Sequence, residues 1–347
     1  MLPKIYDLAS IKHDVPFDPT YGFTLEDLYA GKGGALLEGV AEPPDFDAFW
    51  EAALAEQMAM PPVIVETKRS PQESLAPGYT VEEVYYHAID GWRVGAWLCR
   101  PKDESRLERL QVIGHGYGGR EQIGADQLDE GRVAALFVCA PGFHLSANSK
   151  KVISNSAAAH VIKHIEDPKA YILRACVAAY WQGARILQDL YPRLPMIYEG
   201  TSFGGGLGVM LLAWGNLFKG GFVGQPTFAN HPFRLKNETR GSAASVRALW
   251  LRSNAEMRAK IEHTLGYYET VFHARRIKVP VVFWNSVFDP AVPAAGQFTV
   301  ALSVPESQRH IAPHTVGHFD FAHPVQALEA KRNRDAKKWL WNQVYGG

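Results

Sequence analysis

The chain has 347 residues, 47% of them hydrophobic and 21% charged, which is ordinary globular composition with ample apolar material for a core. Lys+Arg and Asp+Glu both number 36, so no charge excess points to nucleic acid or to an anionic membrane. Cys99, Cys139 and Cys176 are odd in number and far apart; without a Cys-x-x-Cys spacing they suggest buried thiols rather than a disulfide framework or a zinc site.

In chain order, residues 1 to about 40 read as an irregular segment rich in Pro, Gly and Asp that wraps over a neighbouring surface. A helix starts after Pro43-Pro44, with Asp45 as its expected N-cap and Phe46, Phe49, Trp50, Ala53 and Leu54 on one face. Val81 to Ile89 and Trp92 to Cys99 flank Asp90-Gly91, the signal of a two-residue hairpin turn. Beyond Pro101, short apolar runs alternate with longer helical ones. Strands are expected at Leu110 to Gly114, Ala134 to Cys139, Leu194 to Tyr198, Gly221 to Gly224 and Val279 to Trp284, and helices at Tyr171 to Leu190 and Gln326 to Val344. This order predicts an α/β fold, a mostly parallel central sheet with helices on both faces. Residues 1–75 are expected to form an N-terminal extension and helix packed on a catalytic unit at 76–347, with an insertion at about 143–170. The N-terminus lacks the basic and apolar regions of a signal peptide and no apolar run reaches the ~20 residues of a membrane span, so a cytoplasmic protein without membrane or nucleic-acid partners is expected.

The chemistry centres on Gly200-Thr201-Ser202-Phe203-Gly204, a Gly-x-Ser-x-Gly pattern between an apolar strand and an apolar helix. In that context the serine is lifted on a sharp turn and becomes a candidate nucleophile. A serine hydroxyl needs an imidazole to take its proton and a carboxylate to hold the imidazole in the right tautomer. The order Ser, Asp, His of the α/β-hydrolase fold is met by Ser202, by Asp289 in the loop after Val279 to Trp284, and by His318 before the last helix. His314 and then His323 rank behind His318 as the base. His310, His314 and His318 stand four apart, but Pro313 and Gly317 interrupt any helix that would align them as metal ligands, so no metal and no cofactor is expected. The backbone N–H of Phe203 is one candidate oxyanion donor. The Gly-rich stretch His115-Gly116-Tyr117-Gly118-Gly119 after an earlier strand offers the N–H of Tyr117 as the other.

These motifs together resemble the acetyl xylan esterase/cephalosporin C deacetylase family of α/β-hydrolases. The segments that carry the likeness are Pro44-Asp45-Phe46-Asp47-Ala48-Phe49-Trp50, the run His115 to Gly119, the stretch from Tyr267-Tyr268-Glu269-Thr270 to Val279-Pro280, and Asp289 followed by Pro293. Two departures stand out. Phe203 occupies the place where the family carries Gln after the nucleophile, and Cys139-Ala140-Pro141-Gly142-Phe143 replaces its Arg-Gly-Gln motif. The resemblance implies a serine esterase that deacetylates small acetylated carbohydrates through an acyl-enzyme, often as an oligomer. His231, Phe233 and Trp284 are the candidates for lining the substrate cleft, with Trp92, Trp97, Trp214 and Trp250 as further stacking rings. A prolyl-oligopeptidase-like peptidase and a catalytically inert binding protein are the alternative readings.

Overall fold

The computed structural model describes residues 2–37, 40–128, 131–147 and 156–346. The strands are β1 (Glu66–Arg69), β2 (Tyr79–Ala88), β3 (Trp92–Pro101), β4 (Arg109–Ile113), β5 (Val133–Val138), β6 (Met196–Thr201), β7 (Gly220–Gly224), β8 (Val281–Phe288) and β9 (Arg309–Val316). The helices are α1 (Leu25–Tyr29), α2 (Phe46–Ala59), α3 (Ala157–His160), α4 (Ile172–Leu190), α5 (Phe203–Ala213), α6 (His231–Lys236), α7 (Gly241–Arg252), α8 (Ala255–Tyr267), α9 (Thr270–Ala274), α10 (Ala294–Ser303) and α11 (Gln326–Tyr345). The strands form one sheet in the order β1-β2-β3-β5-β4-β6-β7-β8-β9. The first four neighbours pair antiparallel and the run from β5 to β9 is parallel. This is the architecture of the α/β-hydrolase fold.

Two-residue periodicity explains why helices cover both faces. Met196 and Tyr198 of β6 and Val281 and Phe283 of β8 point into the large core beneath α2, α4 and α5. Their alternates Ile197 and Val282 pack with Phe222, Ala336 and Leu340 under α11. Helix α2 buries Phe46, Trp50, Ala53 and Gln57, a spacing that keeps one stripe inward. Trp50 Nε1–H donates to the Tyr267 carbonyl (2.9 Å) and Phe46 packs edge-on against Phe272 and His273. Two of the segments that carried the family resemblance thus meet in space.

Several expectations are corrected. Asp45 precedes α2 but makes no capping bond; its carboxylate instead accepts the Tyr267 hydroxyl (2.5 Å). The β2–β3 connection holds three residues, not two, because Ala88 pairs with Trp92 while Asp90 (φ 58°) and Gly91 (φ 69°) take left-handed conformations. Strand β9 was not anticipated, nor were helices α6 to α9 between β7 and β8. Of the expected insertion at 143–170, residues 148–155 lie outside the described residues. Its remainder is anchored by Ser146, whose hydroxyl donates to Cys139 O (2.6 Å) and accepts from Gly95 N–H (2.9 Å).

Candidate active site

Ser202 stands between β6 and α5 at φ 61°, ψ −115°, a conformation that costs a non-glycine residue on the order of 1–3 kcal/mol. The flanking glycines make this turn possible. A Cβ on Gly200 would fall 2.7 Å from Gly204 O, and one on Gly204 would fall 2.9 Å from His115 O. The turn is then held by Ser202 N–H donating to Gly224 O (2.9 Å) and Gly204 N–H donating to His115 O (2.9 Å).

The structure brings Ser202, His318 and Asp289 into one hydrogen-bonded line. His318 Nε2 lies 2.8 Å from Ser202 Oγ, and His318 Nδ1 lies 2.9 Å from Asp289 Oδ2. A carboxylate only accepts, so Nδ1 carries the proton and Nε2 is free to accept from the serine. Burial pulls the imidazole pKa down, but the hydrogen bond and charge of Asp289 together outweigh it and raise it above the ordinary 6.5. Asp289 is fully buried. It also accepts from Ala291 and Val292 N–H (both 2.9 Å) and from the Ser286 hydroxyl (3.0 Å). The rival bases are engaged elsewhere. His314 points from β9 onto the Trp284 ring (4.7 Å, 2° between planes) and its Nε2 accepts from the Gln225 amide (3.0 Å), while His323 pairs with Glu329 (3.2 Å). Among the described residues no group of three or more His, Cys, Asp or Glu is placed to hold a metal.

Ser286 and Gln297 escaped the sequence reading although they set the position of Asp289, and Gly317, before His318, allows the close approach of its loop. The Gln297 amide donates to Ser286 Oγ (2.9 Å) and Asp289 Oδ2 (3.3 Å). A Cβ on Gly317 would fall 2.5 Å from both Asp289 Oδ2 and Ser286 Oγ, so only glycine lets the histidine loop close on the carboxylate. Gly317→Ala is therefore expected to displace the His318–Asp289 pair, with kcat about 10²-fold lower, KM little changed and stability lower by about 1–3 kcal/mol. Steady-state kinetics and urea melts check both, and a variant with wild-type kcat would contradict the packing argument.

Phe203 begins α5, where backbone N–H groups lack intrahelical partners. Among the described residues neither its amide nor that of Tyr117 donates to a protein acceptor. The Phe203 ring is fully buried and stacks on Tyr117 (4.2 Å, 29°), with Phe143, His160 and Phe228 around it. It therefore packs within the fold against the Tyr117 loop. His115 fastens this loop: Ala140 N–H donates to Nε2 (3.0 Å), so Nδ1–H donates to Gly116 O (2.7 Å). Burial holds its pKa down to about 4.

The substrate-lining candidates divide. Trp284 packs under α11 with Trp339 and Trp341 and stacks on His314, so it is a packing ring and not a cleft wall. Trp284 is half-buried, and Trp92, Trp97 and Trp214 are buried. Phe233 meets the ring of Tyr21 edge-on (5.0 Å). His231 lines, with Trp250 and Val40, a cavity of about 420 Å³ to which Ser202 does not contribute.

A serine on a strained strand-to-helix turn, in line with an imidazole and a buried carboxylate at the C-terminal end of a parallel sheet, defines a serine hydrolase of the α/β-hydrolase fold. The chain belongs to the acetyl xylan esterase (AXE1) family, whose model matches residues 23–310, and it is accordingly a carboxylic ester hydrolase. The match includes Ser202 and Asp289 and stops short of His318, which the geometry supplies. Among solved structures, acetyl xylan esterase 1 from Thermoanaerobacterium sp. JW/SL YS485 is similar with a TM-score of 0.73 and 20% identity, over 92% of this chain and 99% of that one. The acetyl xylan esterase from Paenibacillus sp. R4 gives 0.74 and 18%, over 91% and 99%. The acylaminoacyl peptidase of Pyrococcus horikoshii gives 0.55 and 14%, over 78% of this chain and 43% of that one. At these identities the likeness shows the fold.

Proposed function

We propose that the protein removes acetyl groups from small acetylated carbohydrates, such as short xylo-oligosaccharides, through an acyl-enzyme on Ser202. The observation that carries this reading is the Ser202–His318–Asp289 line at 2.8 and 2.9 Å, taken with the family. In the acylation step Ser202 Oγ attacks the ester carbonyl as its proton passes to His318 Nε2. Asp289 stabilises the imidazolium without taking the proton. The amides of Tyr117 and Phe203 receive the developing oxyanion. His318 then protonates the leaving sugar oxygen, and a water activated by the same imidazole releases acetate. Three unpaired buried cysteines fit a reducing cytoplasm. No helix among the described residues is long and apolar enough to cross a membrane. Acetyl esters of cephalosporin type and an oligomeric assembly follow the family resemblance and belong to the same proposal.

The test is a panel of acetylated sugars, 4-nitrophenyl acetate, longer acyl esters and dipeptide amides, with fluorophosphonate labelling of the serine. Acetyl esters should be turned over best. Because the base must be neutral, the rate should rise with pH through one ionisation lying above the ordinary histidine value of 6.5. Cleavage of the amides without the esters would favour a peptidase, and an unlabelled serine would mean an inert protein.

A further inference from the structure

The loop between β7 and α6 is strained where it borders the nucleophile. Gln225 (φ 42°), Phe228 (φ 69°) and Asn230 (φ 53°) all take left-handed conformations without being glycine. Such backbone persists only where its surroundings hold it, and it gathers at functional sites. The loop is tied to the elbow itself, since Thr227 N–H donates to Ser202 O (3.4 Å). It delivers Arg234, on α6, into a buried position where the residue is only 6% exposed.

Among the described residues no ion pair and no hydrogen bond reaches the Arg234 side chain, and its buried Nε and Nη1 lack any partner. The charge acting on it most strongly is that of Glu269. That carboxylate is itself committed, accepting from Asn230 N–H and His231 N–H (both 3.0 Å) and from Val271 N–H (3.3 Å). Burial moreover pushes the pKa of Glu269 up to about 7, which weakens it as a permanent anion. The other polar neighbours are the phenols of Tyr171, Tyr117 and Tyr21. The Tyr117 hydroxyl is also buried without a partner, as is Oγ1 of Thr227. A buried guanidinium in such surroundings is costly unless something anionic meets it.

Its place relative to the chemistry is one ring away. The guanidinium lies over Phe228 (6.0 Å), and Phe228 meets the rings of Phe203 (6.2 Å) and Tyr117 (6.4 Å) edge-on. Arg234 helps to line a small cavity of about 10 Å³ with Phe228, Tyr171, His231, Val161 and Leu235, and the rings of Phe203 and Tyr117 that meet Phe228 are not among its walls. That is the room of a single water-sized group, enough for a carboxylate oxygen and too little for a sugar ring.

We propose that Arg234 is a substrate-binding residue that receives a carboxylate carried by the ester, either on the alcohol side as a uronic acid or on the acyl side as a dicarboxylic half-ester. A planar guanidinium with free N–H groups suits a carboxylate better than any neutral sugar hydroxyl. The proposal rests on the esterase reading and narrows its substrate class.

Two matched pairs of esters separate the two sources. The alcohol arm compares acetylated methyl glucuronide with acetylated methyl glucoside, and the acyl arm compares 4-nitrophenyl hemisuccinate with 4-nitrophenyl butyrate. In one arm the wild-type kcat/KM for the carboxylate-bearing ester should exceed that of its neutral partner by about 10- to 100-fold. Arg234→Gln should bring that ratio close to one, and Arg234→Lys should keep part of it. A wild-type ratio below about threefold in both arms overturns the proposal whatever the variants do, as does a ratio that Arg234→Gln leaves unchanged. Calorimetry of methyl glucuronide and of succinate with Ser202→Ala protein reads the same site without turnover. Carboxylate binding there that vanishes in Arg234→Gln, in a protein that hydrolyses no ester, would uphold the site while the esterase reading fell.

Discussion

Ser202→Ala should lower kcat on acetyl esters by about 10⁵–10⁶-fold and abolish fluorophosphonate labelling, because the remaining members of such a line have nothing to activate. What survives should be the small acceleration that the oxyanion amides and substrate binding give by themselves. Folding should change little. The backbone strain at φ 61° comes from the turn, which is held by Ser202 N–H to Gly224 O and by Gly204 N–H to His115 O, not by the hydroxyl. Kinetics on purified variant and an unchanged urea midpoint check the two halves. Retention of even about 1% of the wild-type rate would place the nucleophile elsewhere. His318→Ala should be as damaging and the double variant no worse, since neither group works without the other.

The second large effect is loss of the fold in mild acid. Five buried histidines have their pKa pulled down by burial: His115, His160 and His314 to about 4, His231 and His273 to about 3. In the unfolded chain each titrates near 6.5. Below that pH the unfolded state binds more protons than the folded one, so stability falls as pH falls from 6.5 towards 4. Five protons correspond to about 7 kcal/mol per pH unit at the steepest, against a total stability of about 5–15 kcal/mol. At half that slope the fall from pH 6.5 to pH 5 amounts to about 5 kcal/mol, so a protein at the lower end of that range should unfold cooperatively near pH 5 and a more stable one between pH 5 and 4. Two groups run the other way. Glu269, raised to about 7, loses its contribution as pH rises from 4.5, and His318, also raised, loses its own as pH climbs through its folded value. Neither offsets five imidazoles. Urea melts between pH 8 and 5.5 measure the slope, and a flat profile would contradict the neutral state of these histidines. His273→Asn should remove about one proton from it while still accepting the Trp214 indole N–H now held at 2.9 Å.

Why these particular features were legible follows from the range of the forces that make them. Ser202 could be found because its turn is a local demand: two glycines and a strand-to-helix change in periodicity are visible within ten residues. Asp289 and His318 could be ordered because a parallel sheet delivers its loops to one edge in chain order, so a Ser–Asp–His sequence becomes a spatial sequence. Strand β9 was overlooked because Pro313 and three histidines read as a broken loop. Proline is tolerated there because β9 is the last strand of the sheet, where a missing N–H disturbs no further ladder. His314 lies on that strand against Trp284 and Gln225, while His318 lies in the loop beyond it, where it meets Ser202 and Asp289.

The chain by itself determined the class of chemistry, since the residue types, their order and the strand pattern are consequences of local propensity and of short-range turn geometry. Only the tertiary structure decided what surrounds that chemistry. It buried the Phe203 ring against Tyr117, packed Trp284 under α11, and set Ser286 and Gln297 around Asp289. It also left Arg234 buried with no ion pair among the described residues. Each of these outcomes depends on residues distant in sequence that meet only when both faces of the sheet are covered, and burial is what then fixes the hydrogen bonds and shifts the charges.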